Sequence, residues 1–161
     1  MSDSIPQNDP QELLASLRCE HEAGLKYVRR LESAASAISH DAFSAGAFEE
    51  IARTVRWINT SVADHLKKEE NSLFSLLDLQ SGGLADEIRT EHAELRIAFA
   101  QLIISIQDME RGNLRAWCIQ DVVQASEHVA QLLERHIAKE ERILKGLAQR
   151  IESHIGEFIG E

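Results

Sequence analysis

Two short segments of the sequence repeat one pattern of side chains that can bind metal. The segment "HLKKEE" begins at His65 and "HIAKEE" begins at His136, 71 residues later. Each places a glutamate, Glu69 or Glu140, four residues after its histidine, about one helical turn away on the same face. Imidazole nitrogens and carboxylate oxygens are ligands of several transition metals. The pattern therefore suggests a metal centre to which two related helices contribute.

The repeat extends well beyond these two segments. Shifting the sequence by 71 residues also superposes a Glu-His pair, so that His21 matches His92. Other superposed pairs are Leu31 with Leu102, Ile51 with Val122, Ile58 with Val129, and Lys68 with Lys139. A repeat of this length predicts two related helical hairpins and hence an internal pseudo-twofold axis.

Apolar residues with heptad-like spacing predict four long helices, over residues 14–38, 51–76, 85–109 and 118–147. Three turn regions separate them, at 39–46, 79–83 ("LQSGG") and 111–113 ("RGN"). Short connections imply antiparallel neighbours, so we expect an all-α, antiparallel up-down-up-down four-helix bundle. The chain is long enough for a single domain, 1–161. Within it we expect a flexible N-terminus (1–9), the bundle (10–147), and a short fifth helix or tail (148–161).

The turn positions predict that four histidines lie at one height in the bundle. Residues equidistant from a turn are level with each other in an antiparallel hairpin. The midpoint of His21 and His65 falls in the first turn region, that of His65 and His92 at the edge of the second, and that of His92 and His136 directly after the third. We therefore expect these four side chains in one layer, each on a different helix.

Glu69 and Glu140 complete a predicted set of metal ligands. Both interrupt apolar stripes, where an unpaired carboxylate would be costly. The predicted ligands of two divalent cations are His21, His65, Glu69, His92, His136 and Glu140. Such donors without thiolate suit iron or manganese, and zinc less well. If both metals are octahedral, bridging glutamates and an oxo or hydroxo bridge leave about one position open on each metal, as in a reactive site.

A ferritin-type site is excluded, because it would place an acid three residues before a ligand histidine and none of the seven histidines has one. The pattern instead resembles hemerythrin-like proteins of the HHE cation-binding type over about residues 10–147. The resemblance implies a non-haem di-iron centre bridged by both glutamates. Oxygen-carrying hemerythrins have five histidines and a second His-x-x-x-His, whereas Arg96 stands four residues after His92 here. Four histidines with two glutamates look more like bacterial di-iron proteins tied to nitric oxide and iron–sulfur repair, although the N-terminal cysteine segment common in those repair proteins is missing from this sequence.

The function expected from this resemblance is binding of, or reaction with, O₂, NO or peroxide, in an oxygen or nitrosative stress response or in sensing. One alternative is iron handling or repair of iron–sulfur centres through a protein partner. Another is an NO reductase or peroxidase-like enzyme with an external reductase, because no P-loop, Rossmann or C-x-x-C motif is visible. Whether the protein is an enzyme stays open.

Charge and composition argue against several partners. A net charge of −10 disfavours nucleic acid and anionic membranes. No apolar run approaches the roughly 18 residues of a membrane span, and no secretory signal is visible. Two isolated cysteines are expected as reduced thiols, which favours a cytoplasmic location.

Other polar residues near the predicted ligands receive weaker assignments. The second glutamate of each copy, Glu70 or Glu141, points about 100° away from the ligand face. We expect it to be solvated, aiding solubility, or to lie behind the ligands. Glu20 and Glu91 could accept a hydrogen bond from a ligand imidazole, but a surface position is favoured. His40, His128 and His154 are expected at turns, helix flanks and the tail.

Overall fold

Four helices pack together in the computed structural model, which describes residues 9–41, 44–79 and 83–159. They are α1 (Pro10–Asp41), α2 (residues 45–78), α3 (Leu84–Glu110) and α4 (Ala116–Ile159). No strand occurs in the described ranges, so the predicted all-α bundle is confirmed. The up-down-up-down order stays a prediction. None of the helices in these ranges is both long and apolar enough to cross a bilayer.

Local sequence signals define the helix ends close to the predicted turns. Ser44 caps the start of α2, where its hydroxyl accepts a hydrogen bond from the Ala47 amide at 3.3 Å. Gly83 and Gly112, in the second and third turns, have φ angles of 95° and 88°. Glycine adopts this left-handed conformation without the steric cost that other residues incur. In the first turn α1 continues to Asp41, so the connection is shorter than the predicted 39–46.

Helix α2 is not a regular α-helix throughout. Its α-helical segments are Ala45–Trp57, Ala63–Lys68 and Phe74–Asp78, and the π-helical turns Ile58–Val62 and Glu69–Leu73 separate them. The two π-turns therefore enclose the segment that carries His65, and Glu69 is the first residue of the second. The repeat-related segment of α4 is α-helical. Turns of this kind occur frequently at functional sites.

The C-terminal segment continues α4 and does not form a separate helix. Helix α4 runs for 44 residues without interruption, so the segment is helical, as in one of its two expected forms, but it extends α4 instead of forming a separate fifth helix. No proline or glycine with positive φ interrupts residues 148–159. Leu144, Leu147 and Ile151 also follow helical spacing and pack on the same core cluster. The apolar stripe of α4 thus extends beyond the bundle predicted for 10–147.

The apolar core has two parts, one on each side of the predicted ligand layer. The larger part includes Val28, Leu31, Ile51, Leu102 and Val129, and the smaller includes Leu17, Leu73, Ile88 and Leu144. Burying each such side chain contributes about 1.5–3 kcal/mol. The helices are therefore fixed by packing above and below the layer, which positions the polar side chains between.

Candidate metal centre

The four predicted histidines come from four helices and meet in two pairs. His21 of α1 and His65 of α2 have their Nε2 atoms 3.1 Å apart, with ring centroids separated by 4.9 Å. His92 of α3 and His136 of α4 form a similar edge-to-face pair at 5.0 Å. The structure thus brings all four imidazoles together, as the turn positions predict.

Glu69 lies between the two histidine pairs and is fully buried. Its Oε1 atom is 2.9 Å from Nε2 of His65. Its Oε2 atom is 3.1 Å from Nε2 of His92, which belongs to the other pair. One carboxylate therefore faces both pairs, with one oxygen for each.

Glu140 repeats this arrangement from α4. Its Oε1 atom is 3.0 Å from Nε2 of His136, and its Oε2 atom is 3.0 Å from Nε2 of His21. Glu140 is also fully buried. Two buried carboxylates that each face two imidazole pairs have the arrangement of bridges between two cation positions.

The donor atoms form two overlapping groups, each within reach of one metal ion. One contains His21 and His65, the other His92 and His136, and both include the two glutamates; the donor atoms of each group lie within 4.8 Å of one another. Six buried side-chain atoms lack a hydrogen-bond partner within the described residues: both oxygens of Glu69, both oxygens of Glu140, and Nε2 of His92 and His136. Cations at these positions would satisfy those atoms, so the residues fit a pair of divalent metal ions.

A carboxylate from a neighbouring helix holds each imidazole on its outer side. The four Nδ1–oxygen contacts are His21 with Glu141 at 2.8 Å, His65 with Glu20 at 2.8 Å, His92 with Glu70 at 3.0 Å, and His136 with Glu91 at 2.9 Å. An ionised carboxylate only accepts, so Nδ1–H donates and Nε2 faces the centre. Glu20 and Glu91 therefore both accept from a ligand imidazole, the role expected as the less favoured one, although Glu20 is also 41% exposed. Glu70 and Glu141 lie behind the ligands, the second of their two expected positions, so solubility is not their main role.

Each outer carboxylate also contacts a basic side chain. The Nζ–Oε1 distances are 3.1 Å between Lys68 and Glu20 and 2.7 Å between Lys139 and Glu91, and these two pairs are related by the repeat. Arg96 contacts Glu70 at 2.7 Å and Arg18 contacts Glu141 at 3.2 Å. Partial burial raises the pKa of Glu20, but contacts with His65 and Lys68 lower it by more. The basic residues thus favour the ionised acceptors that orient the imidazoles.

Protons and metal ions would compete for the inner nitrogens. Burial lowers the pKa of His21, but the nearby carboxylates, above all Glu140, outweigh burial and raise it to about 10. The same opposition raises the pKa of His92 to about 9. In the metal-free protein the carboxylates therefore favour a second proton on both imidazoles, whose Nε2–H groups would then partly satisfy Glu69 and Glu140, and metal binding would release that proton.

Comparison with known families identifies the pattern. A family model described as hemerythrin HHE cation binding domain matches residues 12–148. The chain belongs to this family. The matched range contains all six predicted ligands, and the family together with the His/Glu cluster indicates a metal-binding protein. No curated protein and no solved structure matches the chain. The closer relation to the bacterial di-iron proteins stays a prediction.

The remaining histidines lie apart from this HHE centre where the structure describes them. His128 is exposed on α4, and exposed His154 donates from Nδ1 to the Arg150 carbonyl at 3.0 Å. The side chain of His40 lies outside the described residues. The contact of Arg96 with Glu70 gives a structural role to the residue that stands four positions after His92, where oxygen carriers have a histidine.

Proposed function

We propose that this HHE protein holds two non-haem iron ions and binds or reacts with O₂, NO or peroxide. The observation that supports it most is the position of Glu69 and Glu140, whose oxygens face both histidine pairs while lacking hydrogen-bond partners. In this proposal His21 and His65 would hold one ion, His92 and His136 would hold the other, and Glu69 and Glu140 would contribute to both. The proposed ligand set is the one expected from the sequence.

The donor types favour iron or manganese over zinc. All six are nitrogen or oxygen donors, and the metal-like clusters among the described residues include no cysteine. Cys19 is exposed and Cys118 is buried in the larger core cluster. Imidazole with carboxylate suits iron or manganese better than zinc, which thiolate often accompanies in structural sites. The family match supports the same choice.

Iron, when bound, would supply redox chemistry and an open position for a small molecule. The residues of the chain prepare the site for it in three ways. The outer carboxylates hold the imidazoles by Nδ1, so that Nε2 faces the centre. The two core clusters exclude water above and below the layer. A cavity of about 360 Å³ beside His21, His65 and His136 offers a path for a small ligand.

Burial of the donors favours retention of the metal over its transfer to a partner. Glu69, Glu140 and His92 are fully buried, and the most exposed of the six, His65, has 12% of its side chain exposed. Donation of iron to an iron–sulfur protein would require this layer to open. An NO reductase or peroxidase-like activity would use the same buried site and would need an external electron donor.

Anaerobic titration of the diferrous protein tests the proposed function. We expect NO and O₂, added separately, to change the visible charge-transfer bands and to reach saturation at no more than one molecule per iron. A double variant, His65→Ala with His136→Ala, is the control and should give no such bands. Recovery of the starting spectrum on removal of the gas would indicate binding, whereas release of nitrous oxide would indicate NO reduction. Spectral silence towards both gases would contradict the proposal.

A further inference from the structure

One side of the metal centre adjoins a cavity that the chemistry of diatomic ligands does not require. The cavity has a volume of about 360 Å³, and His21, His65 and His136 form its inner end. Its walls include Gly24, Trp57 and other apolar side chains. A water molecule occupies about 30 Å³ in the liquid, so the space is far larger than O₂ or NO needs.

Comparison of the two repeats draws attention to one position beside this cavity. Gly24 in α1 corresponds to Leu95 in α3 under the 71-residue shift. Leu95 is buried, with 1% of its surface exposed. The side chain that fills its layer in the second half of the chain is therefore missing from the first half.

The equivalent surface of the second half differs in the same respect. A groove between α3 and α4 is lined by Glu94, His128, Leu132 and Arg135, which are the repeat counterparts of cavity residues Ala23, Trp57, Ser61 and Asp64. No ligand histidine lines that groove. The repeat thus produces two outer grooves, of which only the one beside Gly24 reaches the histidines.

Gly24 is placed where an added side chain would enter the cavity. A Cβ atom at this position would lie 3.3 Å from Cδ1 of Ile137 and 3.7 Å from the Trp57 ring, both of them cavity walls. Apart from proline, glycine is the least favourable residue for a helix interior, and Gly24 lies in the middle of α1. Its use here is explained by the space that it leaves.

The lining of the cavity indicates the chemistry of its occupant. Trp57 forms a flat wall, stacked on Tyr27 with ring centroids 4.2 Å apart and an 8° angle between planes. Exposed Ser61 and Asp64 stand at the mouth and offer oxygen acceptors. Apolar walls with a few polar groups, here at the mouth and at the inner end, are typical of sites for small organic molecules.

We propose that Gly24 opens a binding site for a small uncharged organic molecule, with an apolar body against Trp57 and a hydroxyl-type donor such as that of an alcohol or an organic hydroperoxide. The site reaches the metal position beside His21 and His65. In that respect the inference rests on the proposed function and extends it to a substrate larger than a diatomic. Occupation of the cavity itself needs no metal, so it can be measured independently.

Fluorescence of Trp57 in the metal-free protein provides the test. The chain has two tryptophans, so the Trp117→Phe protein leaves Trp57 as the sole reporter. The probe is 2,2,2-trichloroethanol, an uncharged alcohol that quenches tryptophan emission. We expect saturable quenching, and Gly24→Leu in this background should weaken the apparent affinity by at least roughly tenfold because leucine fills the site. Gly24→Ala should give a smaller loss in the same direction.

Gly46→Leu is the matched control, because nothing lies within 4 Å of a Cβ atom added at Gly46; it should leave the quenching unchanged. Quenching that does not saturate, or that is equal in the Gly24→Leu and parent proteins, would overturn the proposal. Iron binding is measured separately on the same proteins. Iron bound without saturable quenching would refute the organic-ligand site alone, whereas saturable quenching without iron binding would support the site and refute the proposed di-iron function.

Discussion

Removal of metal should destabilise this bundle, because its central layer contains buried groups that the protein atoms satisfy only in part. Glu69, Glu140, His92 and His136 all have buried atoms without a hydrogen-bond partner. An unsatisfied buried polar group costs about 1–3 kcal/mol. Protonation of His21 and His92 in the metal-free protein satisfies part of this layer, so the cost to the free energy of unfolding is below the about 4–12 kcal/mol that four wholly unsatisfied side chains would give.

The linkage between metal binding and folding gives an independent figure for how much bound metal stabilises the folded protein. An ion that binds only the folded state adds about 2.7 kcal/mol at a concentration 100 times its Kd, so two ions add roughly 5 kcal/mol. In a chain of 161 residues, each kcal/mol shifts Tm by about 2–4 °C. The expected increase in Tm on metal binding is therefore roughly 10–20 °C.

Circular dichroism melting measures this difference on chelator-treated protein and on protein reconstituted with ferrous iron under anaerobic conditions. The His65→Ala/His136→Ala double variant is the control, and added iron should shift its Tm far less. An increase in Tm below about 3 °C in the parent protein would refute the reasoning. An equal shift in the double variant would refute the ligand assignment.

Three further outcomes follow from particular contacts. Glu91→Gln should weaken metal affinity by about 10–100-fold in a chelator competition, because it removes the charged acceptor of His136. The exposed control Glu49→Gln should leave the affinity unchanged. The metal-free protein should be most stable between about pH 4.5 and 6.5 when denaturant titrations are repeated across pH. The raised pKa of His21 contributes stability that is complete below its ordinary value of 6.5 and is lost as pH rises towards 10. The lowered pKa of Glu140 contributes stability that is present above its ordinary value of 4.5 and is lost as pH falls. Gly83→Ala should lower the free energy of unfolding by about 1–2 kcal/mol in the same assay, because the residue has a φ of 95°; a loss below about 0.3 kcal/mol would contradict that reason.

Much of the fold and of the candidate site follows from periodicity within single helices. The apolar stripes and the turn signals at Gly83 and Gly112 predict four helices and their ends. The turn midpoints predict that the histidines meet, because helix rise is regular enough to fix height from residue number. The 71-residue repeat relates the contact of His65 with Glu20 to that of His136 with Glu91. From the sequence alone, however, a surface position was favoured for both glutamates.

Features that depend on contacts between helices could not be read in the same way. Glu141 lies about 100° from the ligand face of its own helix, yet it accepts from His21 of α1 because of the way the helices are rotated against each other. Glu70 and Glu141 superpose under the 71-residue shift, and this correspondence was the one sign in the sequence that the two glutamates share a role. The π-turns of α2 have no counterpart in α4, although the residues before and after them match α4 with the same shift of 71 residues. Helical periodicity alone therefore did not predict them. The extension of α4 was not predicted, because the residues after 147 were assigned to a separate segment. Ile151 in fact continues the apolar stripe of α4.

The number of irons bound per chain tests the central claim most directly. Metal analysis by plasma mass spectrometry, on protein reconstituted anaerobically with ferrous iron and freed of excess metal, should give about two irons per chain. The His65→Ala/His136→Ala variant, which lacks one imidazole from each pair, should lose most of this iron while it remains helical. A single iron in the parent protein, or two irons retained in the variant, would contradict a di-iron centre held by these residues.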